Sequence, residues 1–219
     1  MWSTVGNERR RRRSRGRSRR MEPLGNKLLL PRSPSSPPIL AHVIATAARV
    51  SHRVVIAYAD ELVKDAVASV LAPEVLRKVQ WQRDDAPQSG PLVALAGVFP
   101  LLQSFGPDRV VVVAGDLPGV TVDVLVRCLD ALADSDADCA AIERNGRLQP
   151  LLACYRRTAG QAFVEAAENG QTRLMSAMDK LCVVRVRMGE ETPEWRVRPV
   201  HTPEDYDAWL AWRDSFETS

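Results

Sequence analysis

The chain has no metal-binding cysteine pattern. Its four cysteines, Cys128, Cys139, Cys154 and Cys182, show no CxxC spacing and have no histidine cluster beside them. That favours free, mostly buried thiols in a reducing cytoplasm over a metal site or a disulfide frame. The three histidines, His42, His52 and His201, form no triad with serine and aspartate. His42 is expected on a helix and His52 in a loop, and neither they nor any cysteine give a signature of nucleophilic catalysis. No segment approaches the ~20 uninterrupted apolar residues of a membrane span. The N-terminus lacks the apolar stretch of a secretory signal. No internal repeat is visible. A soluble cytoplasmic protein, not held in a membrane, is the expectation.

What is present is uneven. Residues 1–20 hold nine arginines and one glutamate, a local charge of +8 in a chain whose total is +3, so the remaining body carries −5. The arm has three readings: solvated disorder, a reading-frame or start error ahead of the real domain, or a nucleic-acid tail. The last ranks below the others because no basic patch with interleaved aromatics continues into the body. The expected organisation is a disordered Arg-rich arm over residues 1–12 and a single domain over 13–219.

Beyond Lys27 the apolar pattern alternates between short β-branched runs and helical spacing. Helices are predicted over Ile39 to Val50, Asp60 to Leu71, Pro91 to Gln103, Thr121 to Ala133, Ala159 to Asn169 and Leu174 to Leu181, with a last one opening at Thr202-Pro203-Glu204-Asp205. In the second of these, Leu62, Val63, Ala66 and Val70 are expected on the buried face. Strands are predicted over Arg53 to Tyr58, Val79 to Gln82, Arg109 to Ala114, Asp138 to Ile142, Leu151 to Tyr155, Val183 to Arg187 and Arg196 to Val200. This alternation predicts a Rossmann-like three-layer α/β/α fold with a mostly parallel sheet. Ligands of such sheets bind beyond the carboxyl ends of the strands. That places the turn at Gly16, the loop after Val79 to Gln82, and Gly115-Asp116 on one rim.

The chemistry-bearing residues follow from that rim. Gly16, in Gly16-Arg17-Ser18-Arg19-Arg20-Met21, lets backbone approach a triphosphate, and Lys27 stands beyond the arginine-rich turn as a phosphate contact. The turn lacks the buried strand that should precede it, because Arg9 to Arg13 stand there. Asp116 closes the most apolar strand. A carboxylate there suits Mg²⁺, which shares oxygen ligands with substrate phosphates, and equally suits a helix cap. Asp84 and Asp85 are either solvated loop acids or acceptors for a base or ribose. Ser89-Gly90-Pro91 opens a helix whose N-terminal amides face the same rim. With no protein nucleophile in sight, these groups fit phosphoryl-type chemistry, which needs positioning and charge neutralisation.

In this order the motifs resemble the molybdenum cofactor guanylyltransferase family, the MobA-like nucleotidyltransferases. The resemblance rests on Gly16 to Met21, Asn26-Lys27, Gly90-Pro91-Leu92, Asp116-Leu117-Pro118, Gln149-Pro150 and Thr202-Pro203-Glu204-Asp205, and spans about residues 13 to 213. It implies transfer of GMP from GTP to Mo-molybdopterin with release of pyrophosphate. It implies GTP contacts from Gly16, Lys27, Asp84 and Asp116, with Asp116 also holding Mg²⁺. The chain departs from the family pattern at Arg13-Ser14-Arg15, which stand where the family has Leu-Ala-Gly, and in keeping only Gly16 of a glycine pair. It departs further at Asn26 in place of aspartate, at Ala57 in place of asparagine, and at Pro199-Val200-His201 in place of a double-asparagine segment. Cytidylyl transfer to the same acceptor, and a non-catalytic relative using its Arg arm, remain alternatives.

Overall fold

The structure is a computed structural model and describes residues 25–84, 89–103 and 108–217. Gly16, the arginine-rich stretch and Asp85 lie outside these ranges. The described chain enters at Gly25 and makes one 3₁₀ turn at Lys27–Leu29, capped by the Asn26 side chain, which accepts from the Leu28 amide at 3.0 Å. Helix α1, Ile39–Val50, follows Pro38 and buries Ile39, Val43, Ile44 and Ala47 along one stripe. Strand β1, Val54–Tyr58, and strand β2, Val79–Arg83, pair in parallel from Val54 opposite Val79. The link between them is α2, Glu61–Ala68, and the short α3, Pro73–Leu76.

Helix α2 corrects one expectation. The buried stripe is Val63, Val67 and Leu71, whereas Leu62 is 77% and Val70 47% exposed. Asp60 caps the helix through the Leu62 amide, which fixes the phase, and the helix ends before Val70. The spacing i, i+4, i+8 then faces α1 and leaves Leu62 in solvent.

Helix α4, Pro91–Gln103, leads to β3, Arg109–Val113, and α5, Val122–Ala133, leads to β4, Cys139–Arg144. Strand β5, Arg147–Arg156, is longer than its apolar core of Leu151 to Tyr155 suggests. Asn145 and Gly146, both at positive φ, make a tight turn that brings β5 straight back along β4. The Asn-Gly pair was the available signal for this hairpin. A shift of register between Ala141 and Ile142 sits opposite Pro150, which has no amide to give to the ladder. Helices α6, Gly160–Glu168, and α7, Leu174–Met178, precede β6, Val183–Arg187, and α8, Pro203–Glu217, closes the chain.

The four-stranded sheet runs β3-β5-β4-β6. Strand β5 opposes both neighbours and β4 parallels β6, so three of the four strands share one direction. Alternating residues of β4 and β5 point to opposite layers. Ala140, Ile142, Leu152 and Cys154 join α1, α5 and α8, while Cys139, Ala141, Ala153 and Tyr155 join α4, α6 and α7. The three-layer arrangement therefore comes from period-two burial of strands covered on both faces. Cys128, Cys139 and Cys154 are buried free thiols and Cys182 is exposed. Burial pushes the Cys128 and Cys139 thiols up to about 12, so they act as small apolar groups. Among the described residues no helix is long and apolar enough to cross a membrane.

Among the described residues the strands form two sheets, in which β1 pairs with β2 and β3 with β5. Between the two pieces lies a cavity of 1180 Å³ that runs the length of both strands, from Arg53 and Arg109 to Tyr58 and Val113. Helices α1 and α4 wall it on its two sides.

Candidate active site

The rim at the carboxyl ends of the strands collects the site. Asp116 follows β3 by three residues in a tight, clamped loop. Its own carbonyl accepts from the Val200 amide at 2.9 Å. Pro118 O accepts from Arg32 Nε at 2.7 Å, and Val120 O accepts from His42 Nε2 at 2.8 Å. Gly119 passes so close to Trp195 that a Cβ there would lie 2.2 Å from the Trp195 carbonyl oxygen. These contacts tie the segment to its surroundings, and Asp116 is 7% exposed.

Two cationic or potentially cationic groups converge on one Asp116 oxygen. Lys27 Nζ lies 2.5 Å from Oδ2, reaching across from the 3₁₀ turn, and His201 Nδ1 lies 3.2 Å from it. Burial pushes the Asp116 carboxyl up, but the His201 hydrogen bond and the Lys27 charge outweigh it, and the group is held below its ordinary value. Lys27 and Asp116 are 89 positions apart in sequence, so the pair exists only through the fold.

His201 is the residue that sequence reasoning underrated, since a loop histidine without a triad carries no local signal. The expected strand over Arg196 to Val200 does not form. In its place Glu194–Arg196 makes a 3₁₀ turn and the chain continues irregularly. The cause is side-chain demand. Trp195 is buried against Trp209 with ring centroids 5.7 Å apart, and the Arg198 guanidinium lies 4.4 Å from the Trp195 ring centroid while bonding Asp205 at 2.9 Å. Asp205 also accepts from the His201 and Thr202 amides, each at 3.1 Å, and its own amide donates to Thr202 Oγ1 at 3.1 Å. This reciprocal cap starts α8 and sets His201 against Asp116. The motif read in sequence as a helix start is thus also the support of a site residue.

Asp84 follows the last residue of β2, with its amide donating to Tyr58 O at 2.7 Å, and lies on the wall of the cavity together with Asn26, Asp60 and Gly115. Its neighbours on that wall flank Lys27 and Asp116 in the chain. Lys27 and Asp116 meet each other, while Asp84 lines the cavity with Asn26 and Gly115, the chain neighbours of that pair. Gly90 has φ +90°, and a Cβ there would lie 2.9 Å from the Thr172 carbonyl oxygen, so only glycine admits this entry into α4.

Among the described residues no group of three or more His, Cys, Asp or Glu side chains could hold a metal ion by itself. A single buried carboxylate still fits a cation whose remaining ligands are phosphate oxygens and water, the usual manner of Mg²⁺.

His42 gives a test of the clamp. Burial foremost, and then the nearby Arg32 charge, push its imidazole down to about 4 from 6.5. The folded value is depressed, so the stability His42 contributes is present above pH 6.5 and is lost as pH falls toward 4. An NMR titration should show the His42 ring neutral until about pH 4, and His42→Gln should flatten that part of the stability profile. Titration near 6.5 would show that the ring is not packed under the Val120 carbonyl.

Residues 16–183 match the family profile of the MobA-like NTP transferase domain. No curated protein sequence gives a significant match. Among solved structures, the chain is similar to molybdopterin-guanine dinucleotide biosynthesis protein A from Archaeoglobus fulgidus, with a TM-score of 0.65 and 19% identity over 91% of this chain and 95% of that one. It is also similar to 2-C-methyl-D-erythritol 4-phosphate cytidylyltransferase from Thermus thermophilus, with a TM-score of 0.59 and 16% identity over 86% and 94% of the two chains. A Mycobacterium tuberculosis protein solved as a manganese complex gives 0.59 and 16% over 85% and 92%. With more than half of its length matched by the family profile, and with its fold shared by these structures, the chain belongs to the MobA-like NTP transferase family and is a nucleotidyltransferase.

Proposed function

We propose that the protein transfers GMP from GTP to Mo-molybdopterin, forming molybdopterin guanine dinucleotide and pyrophosphate. The observation that supports this is the Lys27–Asp116 pair, held at 2.5 Å just beyond the carboxyl end of β3. The pair neutralises itself in the free protein. When a nucleotide enters with Mg²⁺, the ammonium turns to phosphate oxygens and the Asp116 carboxylate becomes available to the cation. Mg²⁺ held by Asp116 would supply charge neutralisation on the phosphates. Asp84, the acid ahead of Gly90-Pro91-Leu92, accepts hydrogen bonds from the nucleoside. Gly16, outside the described residues, is the position where backbone approaches the triphosphate.

The reaction is a displacement at the α-phosphorus. An acceptor phosphate oxygen forms the new P–O bond, the bond to the bridging oxygen breaks, and pyrophosphate leaves. Lys27 and the clamped Asp116 loop supply position and charge, the main contributions such a transition state needs. GTP is favoured through Gly90-Pro91-Leu92 and Gln149-Pro150. Asn26 in place of an aspartate, together with the cytidylyltransferase neighbour, supports CTP as the second reading.

The test is pyrophosphate release from protein, Mg²⁺ and Mo-molybdopterin with GTP or CTP. Release with GTP above CTP is expected, the reverse order selects the second reading, and none with either overturns both. Lys27→Ala should raise KM for the nucleotide by about 10- to 100-fold, equivalent to losing one charge-assisted contact of about 1.5–3 kcal/mol. An unchanged KM would remove Lys27 from the phosphate site.

A further inference from the structure

The Asp116 carboxylate has a nitrogen donor beside it. His201 Nδ1 lies 3.2 Å from Oδ2, and the contact is built from the backbone outward. The Val200 amide donates to the Asp116 carbonyl at 2.9 Å, so the two segments are joined right beside both side chains. The His201 and Thr202 amides donate to the Asp205 carboxylate, each at 3.1 Å, and Arg198 holds Asp205 in turn at 2.9 Å. The histidine side of the pair is exposed and the aspartate side is buried. The spacing also suits two adjacent ligands of one metal ion. Bonds of about 2.1 Å from an imidazole nitrogen and a carboxylate oxygen put the donors about 3.0 Å apart at a right angle and about 3.4 Å apart at a tetrahedral one. The observed 3.2 Å falls between these values.

Donor type then decides which ion the pair prefers. Mg²⁺ takes oxygen ligands, whereas imidazole suits first-row transition dications such as Co²⁺ and Zn²⁺. From the spacing, the backbone bracing and the nitrogen donor, we infer that His201 is the second protein ligand of the cation at Asp116 and biases the site toward a transition-metal dication over Mg²⁺. The ring binds neutral, through Nδ1, with its proton on Nε2. Phosphate oxygens and water complete the shell, so two protein ligands suffice. The Lys27 ammonium, 2.5 Å from the same oxygen, opposes a dication in the free protein and makes way when phosphate engages it. The inference rests on the reading of Asp116 as a cation ligand and is independent of which nucleotide or acceptor is used.

The probe is Zn²⁺, added to full-length protein isotopically labelled in its histidine nitrogens, together with a GTP analogue whose α,β-bridge is a methylene group. The chain has three histidines, so NMR follows each ring separately. The His201 Nδ1 resonance should move to the position of a metal-bound nitrogen, and a roughly tenfold excess of Mg²⁺ should not reverse it. His201→Asn, which offers an amide oxygen instead, should weaken Zn²⁺ binding by about 10-fold or more and Mg²⁺ binding by less than about threefold in calorimetric titrations. The inference is overturned if Zn²⁺ moves His42 or His52 and not His201, if an equal amount of Mg²⁺ erases the shift, or if His201→Asn weakens both cations alike. Asp116→Asn separates this failure from that of the underlying reading. If it abolishes binding of both cations while His201→Asn changes neither, His201 is no ligand and the Mg²⁺ role of Asp116 stands. If it leaves both unchanged, that role falls as well. None of these readouts depends on turnover, so guanylyl transfer is tested separately.

Discussion

Asp116→Asn should lower kcat/KM for nucleotidyl transfer by about 10²- to 10³-fold, the range seen when one preorganised electrostatic group is lost from a transition state. Asparagine keeps the size of the side chain and an oxygen that can accept from Lys27 or His201, so the fold should survive and the loss should lie in charge. The loop is clamped independently through Val200, Arg32 and His42, none of which bonds the Asp116 side chain. Steady-state pyrophosphate release, with circular dichroism as the fold control, measures it. A variant within threefold of the parent would remove Asp116 from the chemistry and leave it as a structural ion-pair partner.

The same substitution has a pH signature. The carboxyl of Asp116 is held below its ordinary 3.8, mainly by His201 and Lys27 acting against burial. A depressed acid contributes stability above that ordinary value and loses it as pH falls through the folded one. The parent should lose stability relative to Asp116→Asn below about pH 4, at the acid end of the window assigned to His42. The two limbs can be separated by the two variants.

Trp209→Ala should cost about 3–5 kcal/mol of stability and lower Tm by roughly 6–20 °C for a chain of this size. The ring is fully buried, stands edge-on to Trp195 at 5.7 Å, and tilts against Trp212 at 5.3 Å. Its indole N–H donates to the Arg32 carbonyl at 3.0 Å, and the Arg32 guanidinium lies 5.5 Å from the ring centroid. A cavity here loosens Trp195, against which Gly119 is pressed, and Arg32, which holds Pro118. Activity should therefore fall together with stability, although Trp209 does not line the cavity. Trp209→Phe retains most of the packing and loses the N–H bond, and should cost about 1–2 kcal/mol. A measured loss below 1 kcal/mol for the alanine variant, by chemical denaturation, would show that α8 does not brace the loop.

Elements with strong local instructions were legible in the sequence. Helices Ile39–Val50 and Pro91–Gln103 and strand Val183–Arg187 have their expected bounds, because a proline at the start, a clear period or a β-branched run acts within a few residues. The stripe of α2 was misphased because its cap, Asp60, fixes the phase more firmly than the count of apolar residues does. No strand forms over Arg196 to Val200 because the alternating burial of Trp195 and Val197 arises from packing on α8 and not from a ladder. The length of β5 was understated because polar residues at Arg147 and Gln149 hide a strand that the Asn145-Gly146 turn specifies.

By itself the sequence determined the layered α/β class and the family, and it put Asp116 at the end of its most apolar strand and Lys27 at the edge of an apolar run. Those depend on burial periodicity, caps and ordered motifs, all readable along the chain. The tertiary structure alone decided that Lys27 and His201 meet on one oxygen of Asp116 and that, among the described residues, an apolar cavity lies between β1 and β3. Each of these joins residues distant in sequence. Such contacts are set by which backbone edges pair and which faces are covered, and these are chosen only when the whole chain packs.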